Sequence, residues 1–157
     1  MKVLMVCLGN ICRSPMADGW LRHYANEFNL DITVDSAGTA NYHVGEKPDH
    51  RMRKWSLEAG VSIDELRARQ FNVRDFDEFD IIFAMDKSNK RNILSLARNK
   101  EDERKVRLFL NELYPNKDME VPDPYYGTDN DFKDVIQLLN DATQSFIKNE
   151  FPNHENR

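Results

Sequence analysis

Short apolar runs alternate with amphipathic stretches along this chain. Residues 2–6 form an apolar run that Gly9 and Asn10 terminate, and they predict a buried strand. Met16, Ala17, Trp20, Leu21, Tyr24 and Phe28 follow at helical spacing, with Pro15 suited to the first turn and Ser14 to the N-cap. Residues 32–37 predict a second strand, followed by a polar loop through Gly38, Gly45 and Pro48. Residues 49–59 predict a helix that Gly60 stops. A third strand is expected over 79–85, then a helix capped by Asp86 or Ser88 and running through Ala97. Residues 106–110 predict a fourth strand. Over 129–150, Phe132, Val135, Ile136, Leu139, Ala142, Thr143, Phe146 and Ile147 share one stripe and predict a long terminal helix.

Strands alternating with helices imply an α/β fold with a parallel sheet covered on both faces. No repeat, linker or low-complexity segment interrupts the pattern, so residues 1–157 read as one domain. A hydrophobic content of 40% and 31% charged residues are ordinary for a soluble chain with a single core. The formal net charge of -5 argues against general attraction to nucleic acid, so a bound anion needs a local site. No stretch approaches the length of a membrane span. Two cysteines without an export signal suggest reduced thiols and a cytoplasmic location.

The segment Cys7-Leu8-Gly9-Asn10-Ile11-Cys12-Arg13-Ser14 joins the end of the first strand to the start of the first helix. Open parallel sheets place ligands there, and unpaired N–H groups at a helix start attract anions. Gly9 and Asn10 both tolerate left-handed backbone angles, which lets successive N–H groups curl inward. A helix start and a neighbouring cation both favour thiolate over thiol, and Arg13 supplies the cation. Its planar fork also matches two phosphate oxygens. Ser14 can donate its hydroxyl to the thiolate. One loop thus offers a nucleophile, an anion cradle and a charge clamp.

Pro122-Asp123-Pro124-Tyr125-Tyr126-Gly127 forms a second informative segment. An acid on a loop stiffened by two prolines can protonate a leaving-group oxygen and later deprotonate water. Tyr125 and Tyr126 can wall an entrance. On residue types alone, a plain Asp-Pro turn with two surface tyrosines is the better reading.

With both segments in hand, the chain closely resembles the low-molecular-weight protein tyrosine phosphatases. The resemblance also takes in Asp35-Ser36-Ala37-Gly38-Thr39, Tyr42-His43-Val44-Gly45, Ala68-Arg69-Gln70 and Met85-Asp86-Lys87-Ser88-Asn89. It implies a four-stranded parallel sheet with helices on both faces and hydrolysis of phosphotyrosine and aryl phosphates. Cys7 would form a phosphocysteine, Arg13 would clamp the phosphoryl oxygens and Asp123 would act as general acid and base. Leu8, Gly9, Asn10, Ile11, Cys12, Ser14, Tyr42, Tyr125 and Tyr126 would bind substrate. Asn10 holds the loop in relatives, and Ser36 belongs to a hydrogen-bond network behind it. No metal or organic cofactor is implied. The expected partners are phosphotyrosine proteins, a cognate tyrosine kinase among them. Two positions depart from the pattern: Leu66 stands where many relatives carry a network histidine, and Tyr42 where many carry Trp. With Leu66 apolar, Ser36 or Asn10 must find another partner.

Other residues invite blander readings. His43 reads as a loop-packing histidine rather than a base. Asp75, Asp77, Glu78 and Asp80 read as a solvated face rather than a metal site. Arg51, Arg53 and Lys54 read as helix surface. Cys12 is either loop packing or a redox partner for Cys7, and the second reading makes the enzyme redox-sensitive. A thioredoxin-linked arsenate reductase would need cysteines beyond Cys12, and none exists. Protein-arginine phosphatases of the family place Thr where this chain has Ile11. A non-catalytic phosphopeptide module would need neither Cys7 nor Asp123, and a phosphocysteine carrier would not need Arg13.

Overall fold

The computed structural model describes residues 1–154, so the last three residues of the expected domain lie outside the described part. The elements run β1 (Lys2–Cys7), α1 (Arg13–Glu27), β2 (Thr33–Gly38), α2 (His50–Glu58), α3 (Asp75–Glu78), β3 (Ile81–Ala84), α4 (Lys87–Leu94), α5 (Lys100–Lys105), β4 (Val106–Leu108) and α6 (Asp129–Glu150). A 3-10 turn, Phe109–Glu112, follows β4. The four strands form one parallel sheet in the order β2-β1-β3-β4. The α/β expectation therefore holds.

Strand periodicity divides the core into two layers. Val3, Met5 and Cys7 of β1 pack with Met16, Trp20 and Leu21 of α1 and Phe132, Leu139 and Phe146 of α6. The alternate residues Leu4 and Val6 pack on the opposite face with Phe76, Ile82, Ile93 and Leu108. A side-chain period of two thus places the Cys7 side chain on the α1 face. The Trp20 indole N–H donates to the Ile136 carbonyl at 3.0 Å, which ties α1 to α6. Because β2 and β3 flank β1, the chain leaves the sheet in opposite directions around it. The crevice beyond Cys7 is the topological switch point.

Several local expectations are corrected. The helix after β3 ends at Leu94, because the N–H groups of Leu96 and Ala97 bond three residues back and tighten the chain. The fourth strand stops at Leu108, where the 3-10 turn begins. The acidic segment is a solvated face except at Asp75. Asp75 is buried and takes two hydrogen bonds from Arg69 at 3.1 and 3.0 Å, while Asp80 accepts the Lys2 N–H at 2.7 Å. Asp77, Glu78 and Asp80 are all exposed, with Asp77 paired to Arg98 at 2.6 Å. Nor is Ser14 the cap of α1. The helix begins at Arg13, and Cys12 takes the cap position without a side-chain bond. The Ser14 hydroxyl is turned back into the loop instead.

Candidate active site

The loop from Cys7 to Ser14 is buried except at Leu8 and Gly9, with Asn10 at 2% exposure and Arg13 at 3%. Its carbonyls are held from outside. Those of Cys7, Leu8 and Ile11 accept from Thr39, Ala40 and Asp49 N–H groups at 2.9, 2.9 and 2.8 Å. The N–H groups of Leu8, Gly9, Ile11, Cys12 and Arg13 find no acceptor among the described residues. Five donors at the mouth of a helix are an anion cradle.

Asn10 is the residue that bends the loop, with φ 58. Gly9 does not share that conformation, contrary to expectation; its value is clearance. A Cβ at position 9 would sit 3.2 Å from the His43 ring. Gly38 allows a still closer approach, since a Cβ there would meet the Leu8 carbonyl at 2.7 Å.

Behind the loop, hydrogen bonds run in one direction. The Arg69 N–H donates to Asn10 Oδ1 at 3.0 Å, which fixes the amide's orientation. Asn10 Nδ2 then donates to Ser14 Oγ at 2.8 Å and to Ser36 Oγ at 3.0 Å. Ser14 has one hydroxyl hydrogen, and Cys7 Sγ at 3.0 Å is nearer than the Ala37 carbonyl at 3.4 Å. The Asn10 N–H also reaches Sγ, at 3.3 Å. Two donors therefore face the sulfur, an arrangement that stabilises a thiolate. Leu66 takes no part and packs against the core, so the Asn10 amide and the Arg69 backbone complete the network without a histidine.

Arg13 lies across the cavity floor. Its Nη1 donates to Asp86 Oδ2 at 2.7 Å and to the Val121 carbonyl at 3.1 Å. No hydrogen bond occupies the Nε and Nη2 edge, which is the edge a phosphoryl group would take. Burial opposes the charge, but Cys7, Asp86 and Asp123 outweigh it and hold the guanidinium above its ordinary range. Asp86 has two duties, since its other oxygen caps α4 by accepting the Asn89 N–H at 2.7 Å.

Asp123 arrives from the loop before α6. Its Oδ1 accepts the Tyr125 N–H at 3.1 Å, and its Oδ2 lies 3.8 Å from Arg13 Nη2. A cavity of about 260 Å³ is lined by Cys7, Arg13, Asp123, Tyr42, Tyr125 and Tyr126, with Leu8, Gly9, Ile11, Cys12 and His43 completing the wall. Asn10 and Ser14 stand behind this lining rather than in it. A larger groove, about 770 Å³, opens between α1, the start of β2 and residues 60–66, but it contains none of these groups. Chemistry, not size, selects the smaller one. Among the described residues no cluster of His, Cys, Asp and Glu is arranged to hold a metal ion.

The pattern that defines the low molecular weight phosphotyrosine protein phosphatases matches residues 2–154. This chain belongs to that family. A low molecular weight phosphotyrosine protein phosphatase of Schizosaccharomyces pombe is 42% identical, over 94% of this chain and 95% of its own. A crystal structure of a protein tyrosine phosphatase from Entamoeba histolytica superposes with a TM-score of 0.88 at 40% identity, covering 96% of this chain and 97% of the other. A Drosophila arginine phosphatase superposes with a TM-score of 0.89 at 32% identity, covering 96% and 98%. The fold is thus common to phosphatases named for different phosphorylated residues, and substrate choice must lie in the pocket wall.

Seen as a member of this family, the chain carries site residues that sequence reasoning undervalued. Asp86 was legible only as a helix cap, and nothing local announces that its second oxygen holds Arg13. His43 lines the cavity, with Nδ1 2.6 Å from Glu46 Oε2. Arg51 reads as surface from its basic neighbours, yet it bonds the acid loop. Both cysteines are free thiols. Burial, with Asp49 and Cys7 adding to it, pushes the Cys12 thiol far up, so it stays neutral.

Proposed function

We propose that this chain is a protein-tyrosine phosphatase working through a phosphocysteine on Cys7. The Cys7 thiolate attacks phosphorus, the P–O bond to the aryl group breaks, and Asp123 delivers its proton to the departing phenol oxygen. A water then attacks the phosphocysteine, Asp123 takes its proton, and the sulfur leaves as a thiolate stabilised by Ser14 and the Asn10 N–H. In both steps the Arg13 fork and the loop N–H groups hold oxygens whose charge grows in the transition state.

The observation that carries this reading is the convergence of Cys7, Arg13 and Asp123 on one cavity walled by Tyr42, Tyr125 and Tyr126. A binding module has no use for a nucleophile and an acid aimed at one spot. The aromatic wall favours an aryl leaving group. Ile11 adds an apolar side chain where a phosphoguanidinium would seek a hydrogen bond, which disfavours phosphoarginine. The natural partners are then phosphotyrosine proteins, with a cognate tyrosine kinase among them, in the reducing cytoplasm where Cys7 stays a thiol.

Release of inorganic phosphate from phosphotyrosine and phosphoarginine peptides, in the presence of chelator, tests the assignment. Phosphotyrosine turnover that Cys7→Ser abolishes is expected, because a serine hydroxyl does not ionise in this loop. Preference for phosphoarginine, or an active serine variant, would overturn it. Redox sensitivity belongs to the same reading. Cys7, once oxidised to sulfenic acid, can lose water on attack by the neighbouring Cys12 sulfur to give a disulfide. Peptide mapping after mild peroxide should find that bridge; finding only sulfinic acid on Cys7 would assign Cys12 to packing.

A further inference from the structure

We propose that Arg51 is a positioning residue that holds the acid loop in register with the phosphate loop; this rests on the phosphatase reading above. The two loops are more than a hundred residues apart in sequence, and no covalent feature sets their separation. A continuous set of contacts does so. The Asp49 N–H donates to the Ile11 carbonyl at 2.8 Å, which fixes the start of α2 on the phosphate loop. The Asp49 carboxylate then grips Arg51, accepting from Nε at 3.1 Å and Nη2 at 2.9 Å. It also caps α2 by accepting the Arg51 N–H at 2.8 Å. From this anchored position Arg51 Nη2 donates to the Tyr125 carbonyl at 2.9 Å.

Tyr125 is where the acid loop can be steered. Its N–H donates to Asp123 Oδ1 at 3.1 Å, leaving Oδ2 on the Arg13 side. Moving the Tyr125 backbone would therefore move the donor that orients the acid. Arg51 also lies over two rings, with its guanidinium carbon 4.5 Å from the Phe132 centroid and 5.5 Å from the Tyr125 centroid. Phe132 is fully buried at the start of α6, so it gives the guanidinium a fixed surface. Lysine can supply the charge and the ring contact. It cannot bond both Asp49 oxygens and the Tyr125 carbonyl from one plane.

Among the described residues, Arg51 makes no hydrogen bond to the nucleophile or the phosphate cradle. Its loss should act through Asp123 alone, and so where the leaving group needs a proton. The experiment measures single-turnover rates and KM for phosphotyrosine and p-nitrophenyl phosphate with the parent, Arg51→Lys and Arg51→Gln, each with and without Asp123→Asn. Folding is checked by circular dichroism. We expect roughly tenfold to a hundredfold loss of rate on phosphotyrosine, a much smaller loss on p-nitrophenyl phosphate, and little change in KM. In the Asp123→Asn background, Arg51 substitution should cost nothing further. Equal losses on both substrates, or losses that add to those of Asp123→Asn, would overturn the proposal. Should Arg51→Gln fail to fold, Arg51→Lys decides alone, since it keeps the charge and loses the fork. A parent without activity on either substrate would count against the phosphatase reading instead.

Discussion

The phosphate loop and the acid loop meet at one cavity but are built in opposite ways. Residues 7–14 are contiguous and, apart from Leu8 and Gly9, buried, with hydrogen bonds holding the carbonyls of Cys7, Leu8 and Ile11 and the side chains of Asn10 and Ser14. The Arg13 side chain is 4% exposed. The acid loop is open, with the Asp123 side chain 45% exposed and Tyr126 at 95%. Within it the Gly127 N–H donates to the Pro124 carbonyl at 2.8 Å and the Tyr125 N–H to Asp123 Oδ1 at 3.1 Å, and Met85, Arg13 and Arg51 hold it from outside. The contrast fits their tasks. Charge stabilisation gains most from donors that need not reorganise, so the cradle is rigid. In the proposed reaction the acid must admit a substrate, deliver a proton and then receive a water, which suits a place at the solvent edge.

Substitutions can break this contrast at either end. The largest effect after loss of the nucleophile is expected from Arg13→Lys. A point charge would keep the attraction to phosphate, but not the Nε and Nη2 edge that faces it. The rate should fall by roughly two orders of magnitude or more on every substrate, since a transition-state donor is lost. Steady-state kinetics on phosphotyrosine and p-nitrophenyl phosphate read this directly. A near-native lysine variant would reduce Arg13 to general electrostatics.

Asp123→Asn should divide substrates where Arg13→Lys does not. A phenol with a pKa of about 10 leaves badly without a proton, so phosphotyrosine hydrolysis should drop by about a hundredfold. A nitrophenol needs far less help and should lose correspondingly less. If the two substrates suffer equally under single-turnover conditions, the rigid and open loops do not have the separate roles assigned to them.

The smallest effect sharpens the comparison from behind the rigid loop. Asp18 on α1 is fully buried, and burial raises its carboxyl from 3.8 to about 6, against the pull of Arg22 at 2.9 Å. One of its oxygens has no hydrogen-bond partner among the described residues. Because the folded chain holds this proton more tightly than the unfolded one, the associated stability is present below pH 3.8. It is lost as pH rises through about 6. Asp18→Asn removes that loss and leaves Arg22 half in water. The variant should gain on the order of 1–2 kcal/mol at pH 7.5 relative to the parent, and less at pH 5. Urea unfolding at the two pH values measures it; a gain that does not depend on pH would exclude Asp18 as its source. Activity should change little, since the hydrogen bonds of Asn10 and Ser14 do not run through Asp18.

The phosphate loop could be read from the sequence because it is local. A nucleophile, a left-handed Asn, an Arg and a Ser lie within eight consecutive residues, between an apolar run and a helical stripe. Strand period and loop length bring them together with little choice. The same locality made α6 legible from Asp129 to Glu150 without error in either bound. Where local preference competed with tertiary bonding, local preference lost. Ser14 is a good cap by type, but the Cys7 sulfur and the Asn10 amide compete for its hydroxyl and win. Asp75 looked solvated by its acidic neighbours, until Arg69 reached it from another segment.

The residues that only the tertiary structure reveals are those whose partners lie far along the chain. Asp86 meets Arg13 across 73 positions, and Arg51 meets Tyr125 across 74. No periodicity in a single chain encodes such pairs, because each depends on how sheet order and helix packing place two distant loops. Sequence by itself determined the layer architecture and the chemistry of the nucleophile, through side-chain periods and contiguous residue types. Packing alone brings the Cys7 and Asp123 loops together, because the contacts from Ile11 by way of Asp49 and Arg51 to Tyr125 join segments far apart in the chain.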